Sequence, residues 1–332
     1  MQRFTINCKE AFMAYYIGID VGGSNIACAV VNEECEIISR SKAKTHGKSG
    51  ISDYSEVLDV IKRTVISACE SAGIAPKNAS SIGIGCPGIC NSELGIVEYT
   101  NNLGFRNVPL KTDIEKEFNI PVYLDNDANA AAFGEFIAGA AIGSRNAVVI
   151  TLGTGVGSGI IIDGKIYRGT YFAAGEIGHT VIVADGLPCS CGRKGCFEAY
   201  SSATGLVNMT KKAAAEHPES ALNRLIKEDG RVSARTAYNA AKLGDEVGKA
   251  VTEQYVKYLS VGVANVINTF QPDVLCIGGG VCNEGSLLLN PLREAVYREI
   301  YSRDSKKTTR LAICTLGNDA GIIGAAMLHK AQ

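Results

Sequence analysis

The chain has 332 residues, 46% of them hydrophobic and 20% charged, with 37 glycines and a formal net charge of −1. That is the make-up of a globular protein with room for about two domains, and it excludes the whole-chain field that draws a protein to nucleic acid or to an anionic membrane. No apolar run reaches the ~20 residues that span a bilayer, and the first 14 residues hold no hydrophobic stretch followed by a cleavage site. The expected compartment is therefore the cytoplasm, with Met13 as a second candidate start.

Tyr15 to Val21 is an apolar strand that runs into Asp20-Val21-Gly22-Gly23-Ser24-Asn25, and Ile26 to Val31 follows as a second strand. Together they spell a β-hairpin with a Gly-Gly tip. One function for such a tip is phosphate binding: the backbone N–H groups around Gly22, Gly23 and Asn25 and the Ser24 hydroxyl can donate to an anion, with Asp20 beside it to hold Mg²⁺ through water. The plainer alternative is an ordinary hairpin turn. It is not a Walker loop, since no Gly-Lys-Ser/Thr closes it and no helix follows. A third strand is expected over Cys35–Arg40, a helix over Ser52–Gly73, and a buried strand over Ile82–Cys86 ending in the turn Cys86-Pro87-Gly88. Residues 91–109, Asn102 and Phe105 among them, lack regular patterning, and 110–119 spells a short helix.

Next comes Leu124-Asp125-Asn126-Asp127-Ala128-Asn129-Ala130, in which a strand over Ile120–Leu124 stops at four polar residues and re-emerges as an Ala-rich helix to Ala138. Side chains at the carboxyl end of a strand are where open α/β sheets hold ligands. Asp125 or Asp127 is thus a candidate general base, and helix capping is the competing role.

Strand, Gly-rich turn, strand then recurs: Ala147–Leu152, the turn Gly153-Thr154-Gly155-Val156-Gly157-Ser158-Gly159, and Ile160–Asp163, about 130 residues after the first. Duplication of a half-molecule accounts for this, each half offering a hairpin to a shared phosphate site. Residues 203–270 are helical, the longest piece being Asp245–Phe270, and a strand over Asp273–Ile277 ends in Gly278-Gly279-Gly280, where a flat or anionic group such as an adenosine can lie against the backbone. A helix over 285–302, a strand over Leu311–Thr315 and a closing helix over Gly317–Lys330, rich in small residues suited to close packing, complete the chain.

Most of the 12 cysteines are scattered among apolar residues, as reduced core thiols are. Cys189, Cys191 and Cys196 are not. With His179 they put one imidazole and three thiols within 18 residues amid turn-forming glycines, the donor set of a closed structural Zn²⁺ site. Glu176 and Glu198 flank the cluster and are acceptors of the kind that bind sugar hydroxyls, so such a metal would be a scaffold for a substrate pocket.

These residues resemble the ROK family of sugar kinases and repressors, within the actin-like ATPase superfamily, from about Tyr15 to Lys330. Asp20-Val21-Gly22-Gly23-Ser24 is similar to its first phosphate motif, Gly153-Thr154-Gly155-Val156-Gly157 to its second, and Gly278-Gly279-Gly280 to its adenosine motif. Asn126-Asp127-Ala128-Asn129-Ala130 resembles the catalytic stretch, which makes Asp127 the base. Glu176-Ile177-Gly178-His179 with Cys189 to Glu198 resembles the zinc-and-sugar signature, in which the histidine bonds both metal and sugar. Asn102-Leu103-Gly104-Phe105 looks like a segment of bacterial glucokinases, with Phe105 where Trp is commoner.

The resemblance implies an α/β, two-domain actin-like/ribonuclease H-like fold with the active site between the domains. Residues 14–124 plus 317–332 would form the smaller domain and 125–316 the larger. It implies an ATP- and Mg²⁺-dependent kinase with structural Zn²⁺, most like a glucokinase, that binds its sugar through Gly88, Asn102, Asn126, Asp127, Glu176, His179 and Glu198. It further implies a homodimer or homotetramer with no nucleic-acid or membrane partner. Alternatives are a kinase of N-acetylmannosamine, N-acetylglucosamine, fructose or allose, and a sugar-responsive regulator. The 14 residues ahead of the first strand are too few for a DNA-binding domain.

Overall fold

The computed structural model describes residues 14–45 and 53–331, so the expectations for Met13, residues 1–13 and the helix start at Ser52 lie outside the described residues. The first half of the chain supplies β1 (Tyr16–Val21), β2 (Asn25–Val31), β3 (Ile37–Lys44), α1 (Tyr54–Ala72), β4 (Ser81–Cys86), β5 (Ile89–Asn91), β6 (Ile96–Tyr99), β7 (Arg106–Val108), α2 (Leu110–Phe118), β8 (Val122–Asn126) and α3 (Asp127–Ala138). The second supplies β9 (Ala147–Leu152), β10 (Val156–Ile162), β11 (Lys165–Ile166), α4 (Phe197–Ser201), α5 (Ala203–Glu216), α6 (Ala221–Asp229), α7 (Ala234–Lys242) and α8 (Glu246–Phe270). It ends with β12 (Val274–Gly278), α9 (Ser286–Glu299), β13 (Arg310–Ile313) and α10 (Ala320–Ala326).

Two five-stranded sheets carry the molecule, one ordered β3-β2-β1-β4-β8 and the other β11-β10-β9-β12-β13. Along each, the pairings run antiparallel, antiparallel, parallel, parallel. The two Gly-rich hairpins, β1-β2 and β9-β10, therefore occupy equivalent places in two copies of one topology.

Alternation along the strands sorts the core into three clusters. Ile17, Ile19 and Val21 face α1 and α2 on the outside of the first sheet. Val148, Ile150 and Leu152 face the helices α5 to α9 on the outside of the second. Between the sheets, Ala29, Val31, Val149 and Cys276 close on Phe133 of α3 and Ile322 of α10. The two helices in this middle layer are exchanged. Helix α3 follows the last strand of the first sheet and packs chiefly on β10, touching β4 and β9 as well, whereas α10 follows the last strand of the second and packs on β1, β4 and β2.

Where α3 and α10 meet, glycines let one backbone touch the other. A Cβ on Gly324 would lie 1.7 Å from the Ala130 carbonyl oxygen, and a Cβ on Gly134 would lie 2.2 Å from that of Ala320. The contact is symmetrical, because each helix offers a carbonyl and, four residues later, a glycine. This is the close packing that the small residues near the end of the chain lead one to expect.

Several boundaries differ from the sequence expectation, each for a local reason. The third strand begins at Ile37, since Cys35 takes a left-handed φ of 64° and ends the preceding turn there. Residues 91–109 include most of a three-stranded sheet, β5-β6-β7, whose strands of three or four residues are too short to show a period. The second Gly-rich turn is confined to Gly153–Gly155, because strand pairing already starts at Val156. The closing segment is three pieces: a 3₁₀ turn at Gly317–Asp319, α10, and a 3₁₀ turn at Leu328–Lys330. No helix among the described residues is long and apolar enough to cross a membrane.

Candidate active site

The hairpin tips come first, because the rest of the site is arranged around them. At the first, the Gly22 N–H donates to the Asn25 carbonyl at 2.9 Å, which leaves Gly23 and Ser24 as the turn. Thr45, 1% exposed at the end of β3, then draws two tip carbonyls to itself. Its hydroxyl donates to Gly22 O at 2.7 Å and its N–H to Ser24 O at 3.0 Å. A trans peptide points its N–H opposite its carbonyl, so the N–H groups of Gly23 and Asn25 are turned away from Thr45 and offered outward.

The second tip is built the same way. The Gly153 N–H donates to Gly155 O at 3.0 Å, the Ala203 N–H at the start of α5 takes Gly153 O at 2.9 Å, and the Thr204 hydroxyl takes Thr154 O at 2.7 Å. Beside it lies the triple glycine. Gly279 has φ 98°, open to glycine without strain, and a Cβ there would sit 2.2 Å from the Leu152 carbonyl oxygen. The last of the three, Gly280, has open space around its Cβ position.

Between the hairpins stands the start of α3. Asn126 is its cap: Oδ1 accepts from the N–H groups of Ala128 and Asn129 at 2.8 and 3.2 Å, while Nδ2 donates to the Gly88 carbonyl at 3.0 Å. Those bonds bring Gly88 and Asn126 together and occupy the Asn126 side chain. Asp127 is the first helical residue, and its Oδ1 accepts from Ala128 N at 2.9 Å. Burial raises its carboxyl above the usual value, against the pull of these N–H groups. Asp20, at the end of β1, is raised to about 6, chiefly by burial and then by the nearby charge of Asp127. Asn102 reaches the first tip, its Cβ 3.4 Å from where a Gly23 side chain would start, but Phe105 points the other way, 2% exposed and edge-on to Tyr54.

The cysteine loop closes the opposite side. The donor atoms of His179, Cys189, Cys191 and Cys196 lie within 4.8 Å of one another. Sγ of Cys191 and Cys196 are 3.7 Å apart, as are Cys189 Sγ and His179 Nδ1. A tetrahedron with Zn–S bonds of ~2.3 Å has edges of about 3.8 Å, so the set fits that ion. The loop is braced by bridges pairing Val181 with Cys196 and Pro188 with Lys194. Glu198 ties it to the second hairpin: Oε2 accepts from Val156 N at 3.0 Å and Oε1 from the Ser190 hydroxyl at 3.0 Å. Oε1 also lies 3.7 Å from Cys189 Sγ, and Oε2, with one donor, keeps a lone pair for another. Glu176 is exposed, yet its carboxyl is raised by desolvation and by the charges of Asp127 and Glu198, with His179 opposing. Asp20, Asp127, Glu176 and Glu198 thus share one field.

Asp125 is not free to act as a base, since Arg168 and Asn129 occupy it. Thr45, Thr204 and Arg168 escaped the sequence expectation. Their partners lie 23, 50 and 43 positions away, and no period or motif marks them.

The family model described as the ROK family matches residues 16–332. A glucokinase of Halalkalibacterium halodurans is 37% identical over 321 residues, covering 96% of this chain and 96% of that protein. A crystal structure of a ROK family glucokinase from Streptomyces griseus, in complex with glucose and AMPPNP, superposes with a TM-score of 0.79 at 36% identity, over 95% of this chain and 99% of that one. A xylose repressor of Caldicellulosiruptor bescii is 35% identical over 282 residues, 84% of this chain and 69% of the repressor.

Proposed function

The chain belongs to the ROK family, and from this we infer that it is an ATP-dependent sugar kinase that phosphorylates glucose, giving the 6-phosphate. Its fold is the two-domain actin-like ATPase fold, with residues 14–124 and 317–332 assigned to the smaller domain and 125–316 to the larger. One observation carries the reading: a half-buried carboxylate, Asp127, whose pKa is raised by desolvation, stands at a helix start beside two hairpins whose carbonyls are drawn back and whose N–H groups face out.

Asp127 takes the proton of the sugar 6-hydroxyl as that oxygen attacks the γ-phosphorus, and the P–O bond to ADP breaks in line. The tips at Gly22–Asn25 and Gly153–Gly157 hold the phosphates through backbone N–H groups, and Gly278–Gly280 give the adenosine a flat bed. Mg²⁺ bound with the nucleotide would offset phosphate charge, and Asp20, a half-buried carboxylate at the end of β1, would hold it through water. Glu176, His179, Glu198, Asn102 and the Gly88–Asn126 turn hold the remaining hydroxyls. Zn²⁺ on His179, Cys189, Cys191 and Cys196 would order the loop that bears three of these groups.

The test is a coupled ATP-consumption assay of the full chain with glucose, N-acetylmannosamine, N-acetylglucosamine, fructose and allose. Glucose is expected to give the highest kcat/KM. A higher value for an acetamido sugar would reassign the substrate. Sugar binding without turnover on any sugar would favour a regulator, the role named for the xylose repressor relative.

A further inference from the structure

Asp125 stands two residues before the proton acceptor and is 1% exposed, yet the transfer just described makes no use of it. Both of its oxygens are engaged. Oδ1 accepts from Asn126 N at 2.8 Å and Asn129 Nδ2 at 2.9 Å, and Oδ2 accepts from Arg168 Nε at 2.6 Å. The Arg168 side chain is only 18% exposed. A buried ion pair carries a desolvation cost of several kcal/mol and is seldom the most stabilising filling for its space. What this pair joins is therefore informative.

Arg168 opens the segment that leads from β11 to Glu176. Tyr167 still pairs with the sheet, its N–H donating to Ile160 O at 2.8 Å, and the loop is closed on itself by Ala174 N to Arg168 O at 3.1 Å. Its far end is held separately, where the Ser158 hydroxyl of β10 donates to the Gly175 carbonyl. Within the loop Phe172 sits at φ 58°, a left-handed conformation that costs an aromatic residue about 1–3 kcal/mol and survives only where the surroundings enforce it. The loop thus has two anchors, one on the strand β8 that leads into Asp127 and one on the second hairpin, and Glu176 follows directly.

We propose that Arg168 is a positioning residue for the sugar: by fastening the 167–176 loop to Asp125, it sets where Glu176 stands relative to Asp127. This rests on the kinase reading. If Arg168 is lost, the loop keeps only its hairpin anchor. Sugar affinity should then fall while the nucleotide, held by the hairpin tips, is unaffected.

Three variants separate this from a merely structural role. Arg168→Met removes the donor. Arg168→Gln removes the charge but places an amide nitrogen where Nε was, one bond beyond Cδ. Arg168→Lys keeps the charge but moves the nitrogen one bond farther out. Glucose affinity is measured by calorimetry, and KM for glucose and for ATP in the steady state. Arg168→Met is expected to raise glucose Kd and KM by about tenfold or more with ATP KM within about twofold, and Arg168→Gln to stay within about threefold of wild type. Glucose values within twofold of wild type in folded Arg168→Met, or equal losses for glucose and ATP, would overturn the proposal. If Arg168→Met does not fold, Arg168→Lys decides: weakened glucose binding at normal ATP KM supports the role, and normal glucose binding overturns it. Wild-type protein that neither binds nor phosphorylates glucose would instead remove the kinase reading.

Discussion

At the scale of single residues, Asp127, the proposed base, is pulled two ways. The start of α3 and the Ala128 N–H favour its charged form, burial favours the neutral one, and burial prevails. A base must be ionised to accept a proton, so kcat should decline as pH falls through a value above the ordinary aspartate range, and a pH–rate profile measures this. Asp127→Ala should lower kcat by at least ~10² with nucleotide affinity retained. A titration with AMPPNP beside the assay checks both halves of that statement. Asp20 makes a different prediction. Its carboxyl moves from the usual 3.8 to about 6. A raised acid holds its proton more tightly in the folded chain, so its contribution favours folding at pH 4 and is lost as pH rises through 6. At pH 7.5, Asp20→Asn should therefore stabilise the nucleotide-free protein by about 2–3 kcal/mol, and at pH 4 by only about 0.5 kcal/mol. Urea midpoints at the two pH values decide this, and the same variant should lose activity with its hold on Mg²⁺. The acidic and cysteine-bearing members of the candidate site were legible in the sequence because Asp, Glu, His and Cys near glycines suggest chemistry. Thr45, Thr204 and Arg168 were not, because an isolated threonine or arginine says nothing of a partner brought near only by folding.

At the scale of elements, the hairpins depend on residues outside them. Removing the Thr45 or Thr204 hydroxyl frees a tip carbonyl to turn toward the phosphates it should avoid. Thr45→Val and Thr204→Val should each raise KM for ATP about five- to tenfold while leaving glucose affinity unchanged, and Thr→Ser at either place should restore it. The cysteine loop would depend on the proposed zinc in the same sense. Cys191→Ser should lose zinc, read by metal analysis, and with it at least about tenfold in glucose affinity, read by calorimetry. Intact glucose binding in zinc-free protein would separate the loop from the sugar. Continuous apolar strands and long helices were legible, as Ala147–Leu152 and Glu246–Phe270 show. The β5-β6-β7 sheet was not, since such short strands are specified by pairing partners more than by pattern.

At the scale of the whole molecule, the two Gly-rich turns announced a repeat, and the matching order of both sheets extends it to all ten of their strands. What no local pattern could tell is the exchange of α3 and α10 in the middle layer, because a small-residue helix declares close packing without naming its neighbour. The contact is unforgiving. Gly324→Ala would drive a methyl into the Ala130 carbonyl, and a loss of about 3 kcal/mol, the upper end for overpacking, is expected in a denaturant titration. The exchange also bears on how such a chain could be divided. Each half roofs the other's sheet with its own last helix, so a cut near residue 143 would leave both fragments with an apolar sheet face bare. Neither piece could then stand as an autonomous folding unit, and mixing the two should regain structure that each lacks when alone.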